Sequence, residues 1–369
     1  MINKERLVKN FVDMVSIDSE SGNEYNMQEF LKKYLANLGF DVKQDKAGES
    51  FGSNANNVIA TKSGFGDPVI LSAHMDTVTP GNGVEVHIDG DIISSKGNTI
   101  LGGDDKGGIA TIIEAVESIL ESGEKHPPLE IVFTVGEEGG LNGSKNLDYS
   151  LISAKKAIIF DTGGEIGTII TSAPGQNILN VKVKGKPAHA GIEPEAGISA
   201  IYVASHAISR MNLFRIDEET TCNIGMINGG VATNIVTAEV DIVAEVRSLD
   251  ESKLEAQTEH IINMFEKTAT EFNAHVDIEV RKAYNPFKIS DSNDFLASYI
   301  KATKDCGFEA IVQSTGGGSD ANNFNENGIV ALNVSVNMCK VHTTDEYIAI
   351  SDMCNAAKIL SNYLINAGK

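Results

Sequence analysis

Apolar residues up to Ala173 switch repeatedly between the spacing of a helix and the spacing of a strand. Helical spacing marks three segments, at 4–15, 27–38 and 104–120. Short runs rich in β-branched residues lie between and after them, at 40–42, 57–61, 69–73, 129–135 and 157–160. Residues 84–95 alternate around Asp89-Gly90, which predicts a hairpin. Strands that alternate with helices predict the first half of a doubly wound α/β sheet.

A different order of elements begins near Gly175. Strand-like and helical segments follow one another as β-α-β-β-α-β, at 176–186, 198–213, 221–227, 235–246, 252–272 and 276–280. This order is typical of an α+β domain of ferredoxin-like type. The remaining residues predict a helix, two strands and a closing helix, at 295–304, 310–313, 329–336 and 352–365. We therefore expect a discontinuous first domain at 1–174 and 286–369, with a second domain inserted at 175–285.

Polar residues stand where the predicted strands end. His74 and Asp76 follow the run at 69–73 at alternate positions, so their side chains should leave the strand on the same side. A metal-bound imidazole usually donates its other ring N–H to a carboxylate, and this pair offers that geometry. Taken alone, the pair is more often a histidine with a neighbouring ion-pair partner.

More acidic residues and a second histidine follow strand-like runs in the same way: Glu137, Glu138, Asp161 and His342. Asp104 and Asp105 stand at the start of the helix predicted at 104–120. Side chains just past the carboxyl ends of strands in an open α/β sheet converge on one crevice. A mixed set of imidazoles and carboxylates suits a pair of divalent ions, zinc first, with cobalt or manganese as substitutes. The glycine-rich stretch GGDDKGG could instead indicate a phosphate loop, but its spacing differs and two aspartates would repel a phosphate.

Composition narrows the choice of partners. A chain of 369 residues predicts about two domains. Thirty basic and 51 acidic residues give a formal charge of −21, which argues against nucleic acids and anionic membranes. The four cysteines form no C-x-x-C pair, so neither disulfides nor a thiolate zinc site is indicated. Without a signal-peptide pattern or a membrane-spanning apolar run, the expected location is the cytoplasm.

An ordered series of motifs runs along nearly the whole chain: HMDTV, GGDDKGG, GEEGG, FDTGG, KGKPAHAGIEPEAG and HTTDEY. Together they resemble the peptidase T-like (tripeptide aminopeptidase) branch of the dizinc aminopeptidase and carboxypeptidase G superfamily. The resemblance implies a catalytic domain on a doubly wound mixed sheet, with the inserted domain as a lid or dimerisation-type domain. It also implies a dizinc exopeptidase that releases the N-terminal residue from short peptides by attack of a metal-bridging water, with tripeptides as the expected substrates.

The resemblance also implies roles for single residues. It assigns one ion to His74, Asp104 and Asp161, and the other to Asp104, Glu138 and His342, with Asp104 as the shared ligand. Glu137 is the implied general base, and Asp76 orients His74. Adjacent glutamates in extended backbone point apart, which would separate a ligand from a base.

Substrate binding is implied for five further residues: His189, Asn234, Arg247, Gly317 and Ser319. His189 would contact the developing oxyanion, and Arg247 a substrate carboxylate. His189 could equally belong to a turn, because Pro187 and Gly191 flank it. Arg247 could instead form a salt bridge between the domains.

The residue at position 161 bears on the choice between related reactions. Aminopeptidase-type members carry aspartate there, whereas carboxypeptidase and deacylase members typically carry glutamate, so Asp161 favours the aminopeptidase. An amidohydrolase of the same superfamily, either a carboxypeptidase or an N-acyl or succinyl deacylase, stays an alternative. So does a catalytically silent peptide-binding homologue, although such a protein would have little reason to keep Glu137. The expected partners are short peptides, and the chain is expected to be a monomer or a homodimer through the inserted domain.

Overall fold

The computed structural model describes residues 1–369, which divide into two compact units. The first unit comprises Met1–Thr171, Ile289–Ser314 and Ser319–Lys369. The second unit comprises Ser172–Lys288 and Thr315–Gly318. None of the helices combines the length and the apolar character that crossing a membrane requires.

Nine helices and seventeen strands make up the chain. The helices, in chain order, are α1 Lys4–Val15, α2 Tyr25–Asn37, α3 Gly103–Ser122, α4 Asn142–Lys145, α5 Ala200–Ile208, α6 Glu251–Glu271, α7 Asp294–Asp305, α8 Asp320–Glu326 and α9 Ile350–Ala367. The strands are β1 Asp41–Gln44, β2 Val58–Lys62, β3 Val69–His74, β4 Glu85–Asp89, β5 Ile92–Lys96, β6 Leu129–Thr134, β7 Lys156–Ile159, β8 Thr168–Ala173, β9 Gly175–Lys184, β10 Phe214–Arg215, β11 Thr220–Gly229, β12 Glu239–Ser248, β13 His275–Tyr284, β14 Phe287–Lys288, β15 Ile311–Ser314, β16 Val330–Val334 and β17 Tyr347–Ala349.

The large sheet has nine strands, ordered β1-β2-β6-β3-β7-β16-β8-β14, with β15 paired to β8. Its four central strands, β6, β3, β7 and β16, are parallel to one another. The pairs β1–β2, β2–β6, β16–β8 and β14–β8 are antiparallel. Both β3 and β6 are buried along their whole length, which explains their nearly continuous apolar runs. Because the central strands are parallel, their carboxyl ends lie at one edge of the sheet. The mixed, doubly wound α/β architecture expected from the sequence is confirmed.

Helix α3 packs against β3 and α9 within the first unit. A Cβ atom on Gly108 would lie 2.4 Å from the backbone oxygen of Phe160, so only glycine lets α3 approach the end of β7 this closely. The hairpin expected at 84–95 is present as β4 and β5, and Gly90 has a φ of +60° in its turn. Strand β17 extends this hairpin to three strands.

The second unit is an antiparallel sheet ordered β10-β11-β12-β9-β13, with α5 and α6 packed on it. Inward-facing residues of the strands alternate with outward-facing ones and form an apolar core with the helices. The β-α-β-β-α-β order is confirmed. Helix α5 ends at Ile208, five residues earlier than expected, because turns after Ser209 lead into the short strand β10.

Three short elements beside the polar motifs were not expected from the sequence. Helix α4 has four residues, α8 has seven residues and no apolar period, and β17 has three residues. Local hydrogen bonds start α8, because Ser319 and Asn322 form a reciprocal capping box. Such a box is visible in a sequence only as a short polar pattern, which is why hydrophobic periodicity does not reveal it.

Candidate active site

The carboxyl ends of the parallel strands bring the expected polar residues together in the first unit. Their nitrogen and oxygen atoms form three groups, in each of which the atoms lie within 4.8 Å of one another. The groups are His74, Asp104 and Asp161; His74, Glu137 and Glu138; and Asp104, Glu138 and His342. The first and third groups are the two ligand sets that the family resemblance of the motifs implied.

Asp104 connects these two groups. Its Oδ1 lies 3.0 Å from Nε2 of His74, and its Oδ2 lies 3.3 Å from Nε2 of His342. One carboxylate thus faces a different imidazole with each oxygen, as a bridging ligand does. The neighbouring Asp105 is used differently, since its oxygens accept hydrogen bonds from the backbone N–H groups of His74 (3.3 Å) and Gly108 (3.2 Å).

Asp76 contacts His74 at Nδ1, whereas Asp104 contacts it at Nε2. Nδ1 of His74 lies 2.9 Å from the backbone oxygen of Asp76 and 3.4 Å from its Oδ1. The Asp76 carboxylate also accepts hydrogen bonds from the backbone N–H groups of Glu137 (3.0 Å) and Glu138 (3.2 Å), and from the Ser21 hydroxyl (2.5 Å). The imidazole is therefore hydrogen-bonded to the backbone of Asp76, and the buried carboxylate lies beside the imidazole and holds the turn that carries both glutamates.

Replacing Asp76 by alanine should weaken metal binding roughly 10–100-fold, which is the usual cost of losing a group that orients a ligand. Zinc titration of the metal-free protein measures this affinity. Glu130→Ala is a suitable control, because Glu130 is also buried and accepts backbone hydrogen bonds, from Ser153 and Ala154. Equal zinc affinities for the two variants would show that Asp76 does not contribute to metal binding.

Glu137 and Glu138 lie in a turn, because the N–H groups of Gly140 (2.9 Å) and Leu141 (2.7 Å) both donate to the backbone oxygen of Glu137. The expectation that extended backbone separates the two side chains is therefore wrong. Both carboxylates approach His74, and Oε1 of Glu138 lies 2.9 Å from Nε2 of His342. Glu137 differs from Glu138 in belonging to neither of the groups that contain Asp104.

The clustered carboxylates and histidines of the site shift one another's pKa values. Burial and the negative charge of neighbouring carboxylates raise the pKa values of Glu137 and Asp161 well above their usual range. Burial by itself lowers the pKa of His74, but its bonds to Asp104 and Asp76 raise it well above the ordinary value. Bonds to Asp104 and Glu138 raise the pKa of His342 to about 10.

Divalent cations fit this set of residues. Bound cations would offset the repulsion among the buried carboxylates, which is costly when no counter-charge is present. Each of the two groups that share Asp104 offers three imidazole or carboxylate ligands, the number that catalytic zinc sites take from the protein. His342 has a φ of +63°, an unfavourable conformation for a non-glycine residue that the surrounding structure must maintain.

Sequence reasoning missed several buried carboxylates near these ligands, among them Glu24, whose Oε1 accepts a hydrogen bond from the N–H of Gly136 (2.9 Å). Asp320 accepts hydrogen bonds from the hydroxyls of Thr134 and Ser144, and so joins α8 to the segments before and after the two glutamates. Glu346 accepts hydrogen bonds from backbone N–H groups at the start of α3. Asp320 ends the glycine-rich segment TGGGSD (315–320), and Glu346 lies in the motif HTTDEY (342–347). The available signal for Glu346 was its place in the motif that also contains His342.

His189 and Asn234 of the second unit are exposed and lie on adjacent segments. His189 pairs with Ile235 in an isolated bridge, and the N–H of Ala190 donates to the backbone oxygen of Asn234 (2.9 Å). Arg247 is already ion-paired within this unit, since its Nε and Nη2 donate to the two carboxylate oxygens of Glu245 at 3.2 and 3.1 Å. Its ion-pair partner therefore lies on the same strand, and its Nη1 also donates to the backbone oxygen of Gly316 at 3.4 Å.

The loop TGGGSD contains the last two expected substrate residues. The N–H of Gly317 donates to the Thr315 hydroxyl (3.3 Å). The Ser319 hydroxyl caps α8 and accepts a hydrogen bond from Nδ2 of Asn333 (3.2 Å). Because Nδ2 of Asn333 also donates to the backbone oxygen of Asp161 (2.6 Å), Ser319 is connected to the ligand cluster through one side chain.

Comparison with known proteins identifies the family. A sequence profile of peptidase family M20/M25/M40 matches residues 70–366, which is most of the chain. The chain belongs to this family. The peptidase T-like resemblance of its motifs is confirmed by two solved structures to which this M20 chain is similar.

One of these structures is a tripeptidase from Staphylococcus aureus Mu50, with a TM-score of 0.96, 38% identity, and coverage of 100% of this chain and 99% of that one. The other is aminopeptidase PepT from Bacillus cereus ATCC 10987, with a TM-score of 0.93, 40% identity and full coverage of both chains. This M20 chain is also 41% identical to the uncharacterized protein YqjE of Bacillus subtilis strain 168, over the full length of both.

Proposed function

We propose that this M20 peptidase is a dizinc aminopeptidase that releases the N-terminal residue from short peptides, most often tripeptides. The observation that carries the proposal is the position of Asp104, whose two oxygens face His74 and His342 separately. One carboxylate shared by two three-residue groups is what a pair of adjacent ions requires. The similarity to a tripeptidase and to an aminopeptidase supports the class of substrate.

His74, Asp104 and Asp161 would hold one ion, and Asp104, Glu138 and His342 the other. A pair of divalent ions supplies Lewis-acid activation of a water nucleophile and polarisation of the scissile carbonyl. Zinc suits the donor set best, because two imidazoles and several carboxylates are its usual ligands. Cobalt and manganese are acceptable substitutes on the same grounds.

Glu137 would act as the general base. Its hydrogen bonds within the chain are made by its backbone N–H and carbonyl groups, and both of its neighbours in the 4.8 Å group are proposed ligands. A carboxylate beside the ions can take a proton from the attacking water and pass it to the leaving amine. The hydrogen bond from its N–H to Asp76 restricts the position of the turn that carries it.

The choice of the amino end depends on charge. A free α-amino group is a cation at or near neutral pH, and the cluster of carboxylates around Asp161 can bind it, whereas an acyl group offers no such charge. The roles of His189 at the oxyanion, of Arg247 at a substrate carboxylate, and of Asn234, Gly317 and Ser319 as further substrate contacts stay predictions from the resemblance.

The direct test offers the enzyme a neutral tripeptide, its N-acetyl form and its C-terminal amide, with products identified by mass spectrometry. We expect release of the N-terminal residue from the free tripeptide and little or no cleavage of the N-acetyl form. Amidation should weaken binding if Arg247 takes the substrate carboxylate. Asp104→Asn, purified in parallel, controls for a contaminating peptidase.

Each other outcome points to a named alternative. Faster hydrolysis of the N-acetyl form would identify a deacylase, and release of the C-terminal residue first would identify a carboxypeptidase. Binding of peptide and metal without turnover would identify a silent homologue. Indifference to amidation would remove Arg247 from its predicted role and leave it as the ion-pair partner of Glu245.

A further inference from the structure

Glu346 is a buried carboxylate of the first unit, with 1% of its surface exposed. It lies four residues after His342, and its oxygens accept hydrogen bonds from backbone N–H groups far away in sequence. Oε2 accepts from Leu101 and Gly102, both at 2.8 Å, and Oε1 accepts from Asp104 at 2.9 Å. The donors precede Glu346 by 242 to 245 residues.

These donors belong to the segment that carries the shared ligand. Gly102 has a φ of +74°, and Asp104 has a non-helical ψ of 103°, so the backbone here departs from the helix that follows. The N-cap residue Gly102 has no side chain that could act as a cap, and the Asp105 carboxylate bonds further along, to the N–H of Gly108. The N–H groups of Leu101, Gly102 and Asp104 instead have the Glu346 carboxylate as their acceptor. The position of Asp104 therefore depends on Glu346.

The fit of the carboxylate against this backbone is close. A Cβ atom built on Gly103 would lie 3.1 Å from Oε1 of Glu346, so a side chain at position 103 would crowd the carboxylate. A side chain of different length could not reach the same three donors without moving the segment. The contact is thus a defined anchor for the first residues of α3.

Glu346 is equally tied to the loop that carries His342. Cys339 and Tyr347 exchange both backbone hydrogen bonds at 3.1 Å, which closes the loop between them. Within this loop, the N–H of Glu346 donates to the backbone oxygen of Thr343 (3.1 Å). The loop that presents His342 and the segment that presents Asp104 are therefore joined through one side chain.

We propose that Glu346 is a positioning residue that sets the separation between Asp104 and His342, and thereby the affinity for the ion that these residues share with Glu138. The inference rests on the proposed metal-binding function. It assigns no contact with substrate or ion to Glu346. Its effect is exerted through the two ligands whose backbone segments it connects.

The test compares Glu346→Gln with Glu130→Gln. Glutamine keeps the size of the side chain, but it replaces one accepting oxygen with an NH₂ group that faces an N–H donor. Glu130 is a matched control, since it is 6% exposed and accepts backbone hydrogen bonds from Ser153 (2.9 Å) and Ala154 (3.1 Å). It stands at the start of β6, four residues before the end of that strand.

Both variants and the wild type would be stripped with a chelator, their thermal unfolding recorded without metal, and each titrated with zinc and, for its visible absorption, with cobalt. We expect similar losses of stability for the two variants. Only Glu346→Gln should bind at least one ion roughly 10–100-fold more weakly and alter the cobalt spectrum. Excess zinc should restore much of its turnover number, with KM near the wild-type value.

Wild-type zinc affinity and an unchanged cobalt spectrum in Glu346→Gln would overturn the inference. Should that variant fail to fold, Glu346→Asp keeps the charge and shortens the reach, and unaltered metal affinity there would overturn it equally. Failure of the wild type to bind two ions is a distinct result, because it contradicts the proposed function rather than the role of Glu346.

Discussion

Replacing Glu137 by alanine is expected to lower the turnover number for a tripeptide roughly 10²–10⁴-fold, the usual contribution of a general acid–base group. The variant should still bind two ions, because Glu137 belongs to neither group that contains Asp104. The turnover number is measured at saturating substrate, and the number of bound ions is measured by elemental analysis. A lowered turnover number with unchanged metal content is expected for a residue that transfers protons and does not bind metal.

Glu138→Ala is the matched control, since it removes the adjacent carboxylate of the same turn. We expect this variant to lose one ion, because Oε1 of Glu138 lies beside His342. The rival arrangement is the group of His74, Glu137 and Glu138, whose atoms also lie within 4.8 Å of one another. Loss of an ion from Glu137→Ala would favour that arrangement and exchange the roles of the two glutamates.

Replacing Asp104 by asparagine is expected to abolish both metal binding and peptide hydrolysis. Loss of a residue that merely orients a ligand costs roughly 10–100-fold in affinity, so loss of a ligand shared by two ions should cost more than about 100-fold. Asparagine preserves the shape of the side chain and removes its charge. Zinc content after equilibrium dialysis and the residual rate of hydrolysis of a tripeptide provide the measurement.

Two further variants serve as controls for Asp104→Asn. Asp105→Asn changes the neighbouring buried aspartate, whose oxygens accept backbone hydrogen bonds only, and it should retain both ions. His342→Ala removes a ligand of one group and should lose a single ion. If Asp104→Asn also lost one ion only, Asp104 would not bridge the two sites, and the dizinc arrangement would need another shared ligand.

Local patterns in the sequence were sufficient for most of the fold. The helical period of 4–15 and the β-branched run at 69–73 correspond to α1 and β3 with nearly the same bounds. Such periods arise because one face of a helix or strand must be buried, so the pattern is written into consecutive residues. The bounds of α5 and the existence of α8 and β17 escaped prediction, since turns and capping hydrogen bonds determine them.

The convergence of the polar residues was also predictable, for a topological reason. His74 ends β3, and Glu138 and Asp161 follow β6 and β7, which run parallel to β3 on either side of it. All three residues therefore lie at the same edge of the sheet. The separation of Glu137 from Glu138 by strand alternation was wrong, because both residues lie in a turn. The actual conformation depends on the Asp76 carboxylate, which binds both of their N–H groups.

The sequence by itself thus determined the types of the elements, their order, and the residues that meet at the sheet edge, because burial and strand direction leave regular local patterns. Only the tertiary structure decided how these residues are held. Asp104 contacts two histidines, Glu346 anchors the start of α3, and Arg247 pairs with Glu245. Each of these is a specific contact of defined geometry. Hydrogen bonds and ion pairs of this kind, several between segments far apart in the chain, leave no periodic trace in the sequence.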